Sequence, residues 1–209
     1  MITVGPLFSR QPAPLLGIDI SSSSVKLVEL GRDKSGQLIL ERCAIEPMER
    51  GWIVDGNIEK FDEVASAVQR LLKKSGSRTK NVALALPASA VITKRISLPA
   101  GMSEQELEVQ VESEAAQYIP FSLDEVSLDF CVIGPSANSA GDVDVLIAAS
   151  RKEKVSDRQG LAEAAGLKPV VVDIEAHASR LAAAHLIKRL PNEGADALVA
   201  LFEIGAYTI

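Results

Sequence analysis

The sequence predicts an α/β protein in which a strand-rich lobe is interrupted by an inserted α+β subdomain. Three observations predict it. Short apolar runs bounded by turn residues give strand, strand, strand, helix, strand up to Pro87. A second series, β-α-β-β-α-β, then fills residues 90–174. The first order resumes with an alanine-rich helix from Glu175 and a last apolar run, so the lobe is assigned residues 1–89 and 175–209.

Each element has its own signal. Leu15–Ile20 reads as a buried strand, and Val25, Leu27 and either Val28 or Leu30 begin the next one across the turn "SSSS". Gln37–Ile45 follows the polar turn "GRDKSG". The stretch "EPMERGWIVDGNIEK", which carries the only tryptophan, Trp52, reads as irregular. Phe61, Val64, Ala65, Val68, Leu71 and Leu72 recur at helical spacing, and "KKSG" closes that helix. "NVALALP" is a short buried strand stopped by Pro87. This order is that of the first half of an RNase H-like fold.

Within the insert, "VITKRISLP" is a strand, and Ser103 with Glu106 forms a capping box that opens a helix to about Tyr118. Leu107, Val111, Ala115 and Tyr118 make its core-facing stripe. Val109, roughly 200° from Leu107, lies with Ala116 on a second apolar strip, which predicts contact on two sides, with the lobe or with a partner. Val126–Ile133 and Val143–Ser150 are strands around "GPSANSAGD". A helix from Glu153 ends at Gly166, and Pro169 lets "VVVDI" emerge as a strand. A helix to Leu190 and the strand "ADALVALFEIG" follow. The final "AYTI" reads as the opening of a further strand, so the sequence is expected to end inside a hairpin, as a chain shortened by design or by proteolysis would.

Composition excludes several function classes. At 47% hydrophobic and 24% charged the chain is globular, with a net charge of −6 and a pI near 5.1. It lacks the basic footprint of a nucleic-acid binder. Cys43 and Cys131 lie in apolar runs, predicting buried free thiols in a reducing compartment. No run approaches the ~18 apolar residues of a membrane span. The start, "MITVGPLFSRQPAP", has no basic leader. A cytoplasmic location follows as the expectation, with membrane association only through a partner. His177 and His185 share a helix without an acidic or cysteine set at metal spacing. Neither a glycine-rich Walker loop nor a Ser–His–Asp arrangement stands out.

The chemistry concentrates at "GIDISSSSVK". Small residues in a turn after a strand let backbone N–H groups approach phosphate oxygens, and serine hydroxyls add donors. Asp19 suits Mg²⁺, directly or through water, and the Lys26 ammonium offsets phosphate charge. A solvated hairpin turn explains the same serines equally simply. The tail "ALFEIGAYTI" repeats the pattern, with Glu203 in the place of Asp19 and Gly205–Ala206 in the place of the first serines. Two such hairpins facing each other would grip a phosphate chain from both sides.

At this point the chain resembles the actin-like ATPase superfamily. Its insert is similar to that of the cell-division protein FtsA and its relatives. More narrowly it resembles the PilM family of type IV pilus assembly, through "LLGIDISSSSVKLVEL", "GWIVDGNIEK", "EAAQYIPFSLDEVSLDF", "VLIAASRKEKV" and "VVVDIEAHA". The resemblance covers nearly all of residues 13–209. It makes "GIDISSSSVK" the first phosphate motif, "DIEAHA" the connecting motif and "FEIGAYTI" the second phosphate motif. The nucleotide-binding residues it implies are Asp19, Ser21, Ser22, Ser23, Lys26, Glu203, Gly205, Ala206 and Thr208. Asp19 is the implied metal ligand and Glu175 the implied catalytic residue, which positions water. Ser21 replaces a common glycine and Glu203 the usual aspartate, and both departures weigh against efficient hydrolysis.

The resemblance further implies a second lobe after residue 209, without which ATP–Mg²⁺ binds weakly and exposed apolar surface favours homo-oligomers. The partner it implies is the cytoplasmic N-terminal tail of the membrane protein PilN, held between insert and lobe, with other pilus platform proteins nearby. The expected function is a pilus assembly scaffold, and through the pilus a part in twitching motility. An actively hydrolysing ATPase and an FtsA-like filament-forming division protein are the alternatives.

Overall fold

The computed structural model describes residues 14–195 and 197–206. Alternation builds the first hairpin. In β1 (Leu16–Ile20) the side chains of Leu16, Ile18 and Ile20 are buried, while Asp19 lies on the opposite face. The antiparallel β2 (Ser24–Arg32) buries Val25 and Leu27 and sets Lys26 opposite Asp19. A third strand, β3 (Leu38–Pro47), pairs antiparallel with β2.

The stretch read as irregular contains a small hairpin, β4 (Ile53–Val54) and β5 (Asn57–Ile58). Its turn residues Asp55 and Gly56 have φ of 50° and 77°, the pattern of a two-residue type I′ turn. A Cβ on Gly56 would lie 2.6 Å from Pro87 Cγ, so glycine serves both the turn and the close approach. Helix α1 (Phe61–Ser75) buries Val64, Ala65, Ala67, Val68 and Leu71. Asp62 and Glu63 in its first turn and Lys73 and Lys74 in its last complement the helix dipole. Gly76 at φ 65° closes it, donating its N–H to the Leu72 carbonyl at 3.2 Å.

After β6 (Asn81–Leu86), parallel to β1, the chain enters the insert: β7 (Ile92–Pro99), α2 (Glu104–Tyr118), β8 (Val126–Pro135) and β9 (Asp142–Arg151). It then forms α3 (Lys152–Ala164), β10 (Lys168–Ile174) and α4 (Glu175–Ile187). The large sheet has the order β10-β6-β1-β2-β3, with β10, β6 and β1 parallel. The insert has its own antiparallel sheet, β7-β9-β8.

This assignment corrects the boundary read from sequence. Residues 152–174 belong to the lobe, because β10 pairs with β6 from Lys168 opposite Asn81 to Ile174 opposite Leu86. Helix α3 packs with α1, and Leu161, Ala162 and Leu167 share one core with Val64, Val68 and Leu71. The insert is therefore β-α-β-β, closed over Ile96, Leu98, Val111, Ala115, Val145 and Ile147. The order of elements was right, but sheet membership depends on which apolar faces meet, and order alone does not encode that.

Helix α2 carries both halves of the expected capping box. Its second apolar strip has no cover among the described residues: Val109 is 68% exposed. Tyr118 is also at the surface, its ring 4.5 Å from the Lys94 ammonium, and Ile119 takes the buried place. Cys43 and Cys131 are exposed rather than buried, since Cys43 shares the outer face of its sheet with Val28, and Cys131 pairs with Leu146 on the face opposite the buried Val145 and Ile147. The expected last strand does not form among the described residues: 197–206 have no ladder partner, and Leu198 and Phe202 are largely exposed. An apolar run becomes a strand only when another strand lies beside it.

Candidate functional site

Parallel strands end at one edge of a sheet, and ligands of open α/β sheets bind outside that edge. Here the edge gathers acidic groups. Asp19 is the penultimate residue of β1, and Glu175 opens α4 directly after β10. Lys26 Nζ donates to Asp19 Oδ2 at 2.7 Å. Both side chains are nearly half exposed, so this pair stabilises by no more than about 1 kcal/mol and yields readily to a ligand.

The serine turn is closed by its first member. The Ser21 N–H and hydroxyl both donate to the Ser24 carbonyl, at 3.0 and 2.9 Å, and Met48 N–H donates to the Ser23 carbonyl at 2.8 Å. Ser21 is thus committed to the turn. The Ser22 and Ser23 hydroxyls bond to no described residue. Those two donors fit an incoming phosphate best.

Glu203 reaches the same edge from the far end of the chain. Ser179 Oγ on α4 donates to Glu203 Oε2 at 3.5 Å, a long contact. Gly205 and Ala206 are exposed and without regular structure, so no second phosphate hairpin faces the first among the described residues. Thr208 lies outside them.

Burial, then the Asp19 charge and more weakly that of Glu203, push the Glu175 carboxyl above its ordinary value, against Arg158 and Lys26. The mutual influence shows that these groups share one electrostatic site. Arg158 is the member that sequence reading missed. It sits on α3 at 2% exposure, and its Nη2 donates to the Gly56 carbonyl at 3.1 Å. Its Nη1 is buried without a hydrogen-bond partner among the described residues. Leu161 and Ala162, three and four residues on, are buried, so helical spacing already placed Arg158 on the inward face.

Whether the site suits Mg²⁺ follows from its donors. Carboxylates are the right type, but among the described residues no three His, Cys, Asp or Glu converge to cage a metal. Mg²⁺ characteristically binds through one or two carboxylates, waters and substrate phosphates. Asp19 fits that mode, with Ser22, Ser23 and Lys26 left to the phosphates.

A second concavity separates insert and lobe. It has a volume of about 270 Å³ and is lined by Phe130, Cys131, Ala148, Val172, Ile174 and His177 among others. Its floor is the end of β10 and the first turn of α4, and one wall is the edge strand β8.

The chain has the actin-like fold expected from its sequence, a five-stranded sheet of order β10-β6-β1-β2-β3 interrupted by an insert that leaves after the sheet's fourth strand in sequence. Its place within that class is narrower. The chain belongs to the PilM family of type IV pilus assembly proteins, whose family model matches residues 17–209. A structure titled as a PilM–PilN type IV pilus biogenesis complex is 32% identical, with a TM-score of 0.74 over 87% of this chain and 53% of that one. This chain therefore spans about half the length of that relative. The cytoplasmic domain of EpsL, from the Vibrio cholerae type II secretion system, is 13% identical with a TM-score of 0.46, covering 77% of this chain and 57% of its own. A Bacteroides thetaiotaomicron protein described as having an actin-like ATPase fold is 10% identical with a TM-score of 0.40, covering 90% and 61%. Likenesses that distant carry no further argument.

Proposed function

We infer that this protein is a cytoplasmic scaffold of the type IV pilus inner-membrane assembly complex that binds the N-terminal tail of PilN. The observation that carries the reading is its 32% identity, over 87% of the chain, to the PilM–PilN structure. The cleft between insert and lobe supports it. Residues 127–131 of β8 line that cleft consecutively, and β8 is an edge strand of the insert's sheet. An extended peptide there adds to the edge through main-chain hydrogen bonds and seats alternate side chains in the apolar cleft. No described helix is long and apolar enough to cross a membrane. In this reading the protein meets the membrane through PilN.

Mg²⁺–ATP is the second ligand in this reading, held by the serine turn, Lys26 and Asp19. Hydrolysis is weak or absent. Glu175, with its raised carboxyl, is the residue that would position water were the protein an active ATPase. Steady turnover abolished by Asp19→Ala would establish the enzyme over the scaffold.

Anisotropy of a labelled PilN N-terminal peptide tests the main reading. Saturable binding is expected, weakened at least tenfold by Cys131→Arg, an exposed cleft position where the larger side chain leaves the fold intact. A folded protein that ignores the peptide, or binds it equally well with Arg at 131, would refute the placement.

A further inference from the structure

Arg158 has no role in the reading so far, and its setting is costly. A guanidinium is rarely buried without a full set of partners, because an unpaired buried donor loses its hydration for nothing. Here one nitrogen reaches the Gly56 carbonyl while Nη1 has no hydrogen-bond partner among the described residues. The side chain lines a small cavity with Gly56, Leu86 and Pro87. Leu86 pairs with Ile174, and Glu175 follows Ile174 directly, so the cavity that Arg158 lines lies at the same sheet edge as Glu175. No carboxylate lies within ion-pair distance of it among the described residues, which makes its influence a field rather than a contact.

The charges around it explain what that field does. Asp19, Glu175 and Glu203 approach the phosphate turn from three segments, and Asp157 lies beside Arg158 on α3. Lys26, nearly half exposed, offsets part of this charge from the solvent side, where water and salt screen it. Arg158 adds a cation from the buried side.

We propose that Arg158 is a positioning residue of this site: a buried counter-charge behind Glu175 and Asp19 that lets the serine turn accept an anionic phosphate ligand. The proposal rests on the nucleotide reading above only for the identity of the ligand. Burial suits the task, since salt and water screen a buried charge far less than a surface lysine. The guanidinium also stays charged where a buried amine would lose its proton. The Gly56 carbonyl fixes its position, which ties the β4–β5 hairpin to the site.

Two measurements on the purified protein test it separately from the nucleotide reading. The first is a thermal-stability cycle of Arg158→Met, Glu175→Gln and the double variant. Arg158→Met is expected to lower Tm, and Glu175→Gln to raise Tm by more in the Arg158→Met background than in the parent. Additive effects would overturn the proposal, because then Arg158 only fills space. The second is calorimetric titration with the magnesium complexes of ATP, ADP and AMP. Arg158→Met should weaken ATP by roughly tenfold and AMP least, while Arg158→Lys retains most of the affinity. An equal loss for all three ligands would mark a structural defect and overturn the proposal. Failure of the unaltered protein to bind any of them would refute the nucleotide reading, leaving the stability cycle to judge Arg158.

Discussion

Replacing Leu161 by alanine puts the reassignment of α3 to the large lobe at risk. Leu161 is fully buried, in one cluster with Leu16, Val64, Val68 and Leu71. Truncation removes roughly three methylene-sized groups at about 0.8 kcal/mol each. The neighbours are held by the ladders of β1 and β6 and by the turns of α1, so they close only part of the gap. A residual cavity adds about 24 cal/mol per Å³, bringing the expected loss to about 3 kcal/mol. Urea unfolding followed by Trp52, which packs against the same core, reads that loss. Hydrogen exchange shows where it falls. Faster exchange is expected in β1, β6, β10 and α1, with β7–β9 keeping their protection. A loss under about 1 kcal/mol, or loosening confined to the insert, would mean that α3 belongs to the insert after all.

Glu175→Gln should raise Tm at pH 8. The folded pKa of Glu175 lies above its unfolded value, so ionisation erodes stability as pH climbs through that interval, and the advantage of glutamine vanishes on acidification. A variant that melts lower than the parent at pH 8 would contradict this. Glu29 shows the opposite sign: burial alone would raise its carboxyl, but hydrogen bonds from Thr79, Ser77 and Arg42 outweigh it and hold it low. Its contribution is complete above the ordinary carboxylate range and is lost as pH falls through the lowered value. Thr79→Val removes a 2.6 Å bond to that buried carboxylate and should cost about 1–3 kcal/mol in chemical denaturation at pH 7; a neutral effect would show the bond to be incidental. Changing Ser22 and Ser23 together to Glu should abolish nucleotide binding in calorimetry, each carboxylate opposing phosphate by roughly 1 kcal/mol or more. The fold should survive, and nucleotide binding that persists would make the serines an ordinary turn.

Local patterns in the sequence carried the local structure. Alternation in "LLGIDI", helical spacing from Phe61 to Leu72 and the Ser103–Glu106 box each specify an element through interactions a few residues apart. Where a decision depended on distant surfaces, the reading failed. "KPVVVDI" joins either sheet equally well until α3 is seen to pack on α1. "ALVALFEIG" has strand composition, but a ladder needs a neighbour that composition does not supply. The hairpin at Val54–Asn57 was missed, although Asp-Gly between apolar residues is a turn signal in its own right. For the candidate site, Asp19, Lys26, Glu175 and Glu203 do converge, whereas Arg158 belongs to no motif and only its spacing from Leu161 and Ala162 marks it as inward-facing.

One property of the insert has an evolutionary edge. Ile92 lies opposite Ala149 in the β7–β9 ladder, so the chain departs from the lobe and returns to it about 5 Å apart. Ser150 Oγ donates to the Ala90 carbonyl at 2.8 Å and pins the two crossings together. Such a graft point asks almost nothing of what is mounted on it. Excising residues 92–149 and splicing the ends through an Asn-Gly turn would leave β6 and α3 joined across a gap the backbone already spans. Over evolutionary time the mounted piece can be lengthened, trimmed or exchanged, changing what the protein grasps, without re-registering a single strand of the sheet beneath it.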